Sequence, residues 1–349
     1  MGINKETDTD GKELLALRYL QRQKDTLASI KAALSDSEKE NIELRRQVEL
    51  LQQKGRKKLQ PKKPPASKGK RAFILGLTDN HYTQQVDPTL SGGENLHNEK
   101  ISFSRVSSVV SQANEIIEQS KSKYGVSEAL IWLGGDSMVN ADLHPNFQRL
   151  TPYEPLEELE VVYNIKMALF DQIRKGPLRR VPLRVHGSLS NHGRDGKKEE
   201  VSAEIACRRS YDVALYKQLE RSLGLPFHIE QTYWGVDSIG GVKCLLHHGH
   251  MISMKVMPNT NFYQPNWTQL GRRLSHPKHK GVKLAMIGHW HTAAEYQSNE
   301  FVFVSAGCTV GQDGYAYGHG FLPEKPSQPL IEINSENEKV VQVHRIYTE

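Results

Sequence analysis

Residues 72–79 read AFILGLTD, an unbroken apolar run that ends in polar residues, and Asn80 and His81 follow at once. A short run of this kind without helical spacing predicts a strand buried on both faces. The same grammar returns in ALIWLGGD at 129–136, VPLRVHG at 181–187 and KLAMIGHWH at 283–291. Residues 104–124, 156–175 and 210–223 carry helical periodicity instead. Strand and helix in alternation predict an α/β body whose first strands pair in parallel. Beyond Phe227 the candidate strands are VKCLLHHGH, FVFVSAG, PLIEIN and VVQVHRIY, with Gly240-Gly241 as a hairpin turn.

Each apolar run ends in side chains able to bind a metal. Asp79 and His81 are two apart, so they can address one point beyond the first strand. Gly134-Gly135-Asp136 ends the second, and the third leads to Ser190-Asn191-His192-Gly193-Arg194. Leu246-His247-His248-Gly249-His250 and Gly288-His289-Trp290-His291 close the later ones, with His289 and His291 repeating the spacing of two. Open α/β sheets gather ligands beyond the carboxyl ends of their strands. One such histidine is ordinary, a capping or core residue with a backbone partner. Five clusters in order, each at a strand end, predict a metal site.

The first part of the chain is of another kind. Leu20, Leu27, Leu34, Asn41 and Val48 fall at heptad position a, and Ile30, Leu44 and Leu51 at d, which predicts a coiled coil over 1–53. A helix with this stripe needs a partner, and Asn at an a position favours a parallel dimer in fixed register, so a homodimer is expected. Residues 54–71, KGRKKLQPKKPPASKGKR, carry only positive charge and three prolines. They read as a linker, either a solvated tether or an arm on nucleic acid phosphates. Residues 72–349 form the body.

Composition narrows the class. A chain of 349 residues with 37% hydrophobic and 25% charged residues is expected to be soluble. No apolar run spans a bilayer, and the start MGINKETDTDGKE lacks the pattern of a signal peptide, so no membrane partner is expected. Three cysteines without a CxxC spacing give little support to a thiolate zinc site or a disulfide scaffold, so a reducing cytoplasm is the default expectation. The net charge of +6 mildly favours an acidic partner such as nucleic acid.

The ordered set Asp79/His81, Gly135-Asp136, Asn191-His192, His248-Gly249 and Gly288-His289/His291 resembles the signature of the calcineurin-like metallophosphoesterase superfamily, DxH, GD, GNH, H and GHxH. The resemblance covers the chain from about residue 72 onward. It implies a four-layer α/β/β/α sandwich, here with a helical coiled-coil extension at its start. It implies two divalent ions, manganese favoured with iron or zinc as alternatives. Asp79, His81 and His291 would hold one, and Asn191, His248 and His289 the other. Asp136 would bridge them, and His192 would serve the leaving oxygen. His247 and His250 remain alternatives to His248.

Two divalent ions about 3.5–4 Å apart can ready one water for attack on phosphorus. The chain departs from the family pattern at Ser190, where glycine is usual, at Gly193, where an acid usually orients the histidine, and at Val139, with Asn140 one residue later. Asp195 is a candidate substitute for the acid. Arg194, His97 and His144 are candidate substrate contacts, with Asn98 and Asn146 as further polar residues of the long loops, Asn98 as readily a helix cap.

The coiled coil, the basic linker and the charge together resemble a DNA-repair nuclease or a bacteriophage phosphoesterase. A nuclease in a bacterium or phage-infected host is therefore expected. The alternatives are a phosphodiesterase of small nucleotides, a protein phosphatase, or a nucleic-acid-binding scaffold with a weakly active body.

Overall fold

The computed structural model describes residues 71–93, 95–144, 146–196, 207–256, 263–319 and 323–348. The heptads of 1–53 and all of the basic linker but Arg71 lie outside the described residues. Arg71 itself opens the first strand, its Nε donating to Glu332 at 2.9 Å.

Two main sheets carry the body. In the first, β1 (Arg71–Leu77), β2 (Val126–Leu133), β3 (Leu183–Gly187) and β4 (Phe227–Ile229) run parallel in that order. On the other side of β1, β12 (Ser327–Asn334) and β13 (Lys339–Tyr347) complete it as antiparallel strands. The second sheet has β9 (Leu284–Ile287) at its centre, parallel to β6 (Val242–His247) and β11 (Val302–Ser305). The edges are antiparallel, β5 (Gly235–Ile239) joined to β6 at Gly240-Gly241 and β10 (Ala294–Gln297). A two-stranded ribbon pairs β7 (Met254–Val256) with β8 (Tyr263–Pro265).

The unbroken apolar runs reflect burial on both faces. Phe73, Leu75 and Leu77 of β1 pack with Val106, Val110 and Ile117 of α1 (Glu99–Tyr124) and with Leu169 and Phe170 of α2 (Pro155–Lys175). Leu215 and Leu219 of α3 (Tyr211–Leu223) join the same cluster. The alternate residues Ala72 and Ile74 join Trp132, Leu246, Leu284 and Met286 in a second cluster shared by both sheets. Leu245, Ala285, Ile287 and Phe303, on the far side of the second sheet, pack with Leu270 of α4 (Trp267–Leu274). A last short helix, α5, spans Gly314–Gly318.

The α/β alternation and the parallel opening agree with the expectation from sequence. α1 begins at Glu99, ahead of the periodic stretch, because Asn98 caps it, accepting from Ile101 N at 3.0 Å. β4, β5 and β10 carry no clear sequence signal because they are short and half-polar. Among the described residues no helix is long and apolar enough to cross a membrane.

One long-range tie bears directly on the site. Gln328 of β12 accepts from Thr78 N at 2.8 Å through Oε1 and donates to Thr78 O at 2.9 Å through Nε2, so its amide completes the end of β1 just before Asp79.

Candidate metal centre

The loops after β1 and β2 are lashed together as they leave the sheet. Asp79 N donates to Gly135 O at 3.1 Å, and His81 N to Asp136 O at 3.0 Å. The backbone then turns into a conformation that side chains disfavour. Asp79, His81, Asp136, Asn140, His289 and His291 all have positive φ, between 38° and 71°. Among the described residues the only other non-glycine with positive φ is Glu338. Backbone strain confined in this way marks a functional site, because surrounding structure must hold it in place.

These turns gather the ligand candidates into two linked groups. One donor atom from each of Asp79, His81 and His291 lies within 4.8 Å of the others, and the same holds for Asp136, His248 and His289. Asp136 Oδ2 reaches both groups, 3.1 Å from His248 Nε2 and 3.8 Å from His81 Nε2. His291 Nε2 stands 3.6 Å from Asp79 Oδ1, and Asn191 Oδ1 stands 2.8 Å from His248 Nε2. Both carboxylates are buried, Asp79 fully.

The donor chemistry fits divalent ions. His81 Nδ1–H donates to Met138 O at 3.0 Å, and His248 Nδ1–H to Gly134 O at 2.9 Å. A carbonyl can only accept, so each ring commits its Nδ1–H outward and turns Nε2 toward the centre, the usual support of a metal-bound histidine. Burial works against the charge on Asp136, yet His248, His192 and His81 hold its carboxyl well below the usual range. Burial likewise opposes protonation of His248, but Asp136 outweighs it and pushes the imidazole up to about 9. Burial, reinforced by His248, pulls His289 down to about 3, which keeps its lone pair available. The centre therefore combines buried anionic oxygen with oriented imidazole and amide, without a thiolate, and a divalent ion would take the place of the proton that Asp136 favours on His248.

In its ligand set and their order the chain resembles the calcineurin-like metallophosphoesterases. No family model matches the sequence, and no curated protein matches it. Among solved structures it is similar to an archaeal phosphodiesterase, at 11% identity over 78% of this chain and 99% of that one, with a TM-score of 0.34. It is also similar to the phosphoesterase YfcE of E. coli, at 14% identity over 78% and 99%, TM-score 0.28. A third is Vps29 from Entamoeba histolytica in complex with zinc, at 13% identity over 79% and 98%, TM-score 0.31. At such TM-scores these likenesses bear no weight; the centre's own geometry supports its chemistry.

Each departure from the metallophosphoesterase pattern has a local physical cause. His192 Nδ1–H donates to Val139 O at 2.7 Å, so a backbone carbonyl orients this ring. Asp195, the candidate substitute from sequence, instead pairs with Arg209 at 2.6 Å. Gly193 replaces the usual acid because a Cβ there would overlap Asp212 Oδ2. That buried carboxylate accepts from Ser190 N at 2.8 Å and Ser190 Oγ at 2.7 Å, which accounts for serine at that position. Asn140 closes the arrangement, its Nδ2 donating to His192 O at 2.7 Å and Arg194 O at 2.8 Å.

The remaining sequence candidates are spread around and beyond the centre. Arg194 Nε donates to Asn191 O at 2.9 Å, beside the second ligand group. His144 is exposed, and its Nδ1 accepts from Asn146 N at 3.2 Å. His97 is buried, with the Arg105 guanidinium 3.1 Å from its Nδ1. His247 is buried against Trp234, ring centroids 4.1 Å apart, while His250 lies 5.5 Å from the His248 ring.

Sequence reasoning missed Glu158, Asp212 and Phe147. Glu158, buried on α2, accepts from Val139 N at 2.6 Å and Asn140 N at 2.9 Å, and so supports the carbonyl that orients His192. Phe147 stacks on His192 at 5.2 Å with an interplanar angle of 10°. A buried acid within an amphipathic helix is the one signal that would have singled out Glu158.

Proposed function

We propose that this chain is a metal-dependent phosphodiesterase that cleaves nucleic acid. The reading is carried by one observation: the convergence of Asp79, His81 and His291 with Asp136, His248 and His289 on strained turns at the strand ends. Two sheets sharing a core, with helices on the outer faces, support the four-layer arrangement. Asp79, His81 and His291 would hold one divalent ion, Asn191, His248 and His289 a second, and Asp136 both, with manganese favoured. Bound there, such ions would lower the pKa of a water and neutralise charge on the phosphoryl group.

The chain's own residues do the rest. His192 keeps Nε2 as the atom that can hold a proton for the leaving oxygen, since its Nδ1–H is committed to Val139 O. Arg194 brings a guanidinium to the same turn, suited to a phosphate oxygen. Phe147 adds an aromatic face on which a base can stack. The basic residues of 54–71 would contact phosphates, and the heptads of 1–53 would pair two copies.

His192→Gln is expected to separate substrates by leaving group. Cleavage of DNA, whose leaving alkoxide needs a proton, should fall by about 10²-fold or more. Turnover of bis-p-nitrophenyl phosphate, whose leaving group needs none, should change little. Equal loss on both would make His192 a structural residue. Labelled single- and double-stranded DNA, RNA and cyclic nucleotides, compared at fixed salt, test the substrate class; turnover of the cyclic nucleotides alone would shift the assignment to small-nucleotide hydrolysis. Removal of residues 1–70 should convert a dimer to a monomer by light scattering, and an unchanged mass would reject the coiled-coil dimer.

A further inference from the structure

We propose that His186, His228 and Glu230 form a separate binding site for one transition-metal ion of the zinc class. The site shares no residue with the metal centre described above and does not depend on the proposed reaction. His186 on β3 and His228 on β4 are direct partners in the parallel register, which sets both imidazoles on one face of the sheet, ring centroids 4.9 Å apart. Glu230 follows β4 and is held beside them by the bond from its backbone N to Gly187 O at 3.1 Å. Donor atoms of the three residues lie within 4.8 Å of one another.

The decisive atom is His186 Nε2. His186 is fully buried, and its Nδ1–H is committed to Asp237 Oδ2 at 3.1 Å, with Arg184 holding that same carboxylate oxygen at 2.6 Å. Nε2 has no hydrogen-bond partner and faces Glu230 Oε1 at 3.4 Å, and in the neutral ring it presents a lone pair there. That lone pair faces a carboxylate oxygen that also accepts from His228 Nε2 at 2.8 Å, so the buried contact calls for a cation on His186 Nε2, either a proton or a metal ion. A carboxylate that fixes the far nitrogen of a histidine is the usual support for a metal-bound imidazole. Tetrahedral zinc with bonds of about 2.0–2.1 Å sets its ligand atoms roughly 3.4 Å apart.

Gly235 at the start of β5 keeps the space open. A Cβ at this position would lie 2.6 Å from His186 Nε2 and 2.8 Å from Glu230 Oε1. Its φ is not positive, so the demand for glycine comes from space: the Leu246 carbonyl, 2.7 Å from such a Cβ, and the two donor atoms leave no room for a side chain. His228, with 54% of its side chain exposed and Nε2 2.8 Å from Glu230 Oε1, gives an ion access from solvent. Two imidazoles and a carboxylate without thiolate suit zinc, with cobalt(II) as a spectroscopic substitute.

The test measures zinc bound per full-length chain after equilibration and dialysis. His228→Ala and Glu230→Gln should each hold one zinc fewer than wild type, whatever the occupancy of the other centre. Gly235→Ala, which keeps all three donors, should lose the same ion. Asp237→Asn should weaken zinc binding at this site by about 10- to 100-fold. Zinc should raise the thermal midpoint of wild type more than that of His228→Ala. An equal zinc count in wild type, His228→Ala and Glu230→Gln would overturn the site. If Gly235→Ala does not fold, the half-exposed His228 still decides the matter.

Discussion

Asp136→Ala is expected to lower manganese-dependent hydrolysis of bis-p-nitrophenyl phosphate by more than about 10³-fold. Removing a single preorganised donor from an oxyanion site costs roughly 10²–10³ in rate, and Asp136 does more than one such donor. Its Oδ2 reaches His248 and His81, and its Oδ1 accepts from His192 N at 3.1 Å. The variant loses the charge common to both ligand groups and the anchor of the His192 turn together. Asp136→Asn separates these contributions, because the amide oxygen can still accept from His192 N while the negative charge is gone. It should be folded by circular dichroism, bind fewer manganese ions by elemental analysis, and be nearly as inactive as the alanine variant. Wild-type turnover in Asp136→Asn would refute the role given to the charge.

Lys166→Met is expected to stabilise the fold, with the gain largest at and below neutral pH. Lys166 sits on α2 among core residues, and its Nζ has no hydrogen-bond partner; the Tyr82 ring lies 5.1 Å away. Burial, partly offset by Asp212, pulls its ammonium down from the ordinary 10.5 to about 7. Between those two values the unfolded chain binds a proton that the native chain does not, so native stability rises with pH across this window. Below about 7 both states are protonated, and the full cost of the buried charge remains. At about 1.4 kcal/mol per pKa unit that cost is on the order of a few kcal/mol. Urea unfolding of both proteins from pH 6 to 10 should give a difference that favours methionine, is flat at the acid end and shrinks toward pH 10. A difference independent of pH would mean that Lys166 is not buried as a charged group.

The sequence exposed the centre because strand ends and candidate metal ligands coincide. Asp79, Asp136 and His289 each follow an apolar run long enough to read as a strand, and the topology brings those ends together. What surrounds them was not legible for the opposite reason. Val139 orients His192 through its carbonyl, a group every residue carries, and Glu158 reaches Val139 and Asn140 from a helix that reads as ordinary amphipathic sequence. Asp212 was hidden because its partner Ser190 makes sense only once α3 packs beside the β3 turn. The acid expected near His192 falls at Asp195 in the sequence, where an exposed arginine claims it.

The same limit held for the fold. β1 and β2 were readable because they are apolar on both faces, while β4 is only Phe227–Ile229 and gains its identity from pairing with β3. The second metal site went unread because His186 and His228 are far apart in the chain and belong to no shared spacing; parallel register alone makes them neighbours.

The tie between Gln328 and Thr78 bears on the order of events during biosynthesis. A residue 250 positions downstream supplies the amide that finishes the strand leading into Asp79. Contacts of such span form late, since the intervening chain must first be threaded and closed. A ribosome-bound chain that has emerged only as far as His291 holds every candidate ligand yet lacks the brace that seats the first of them. On the proposed reading, hydrolytic competence would then arrive only once translation has passed β12.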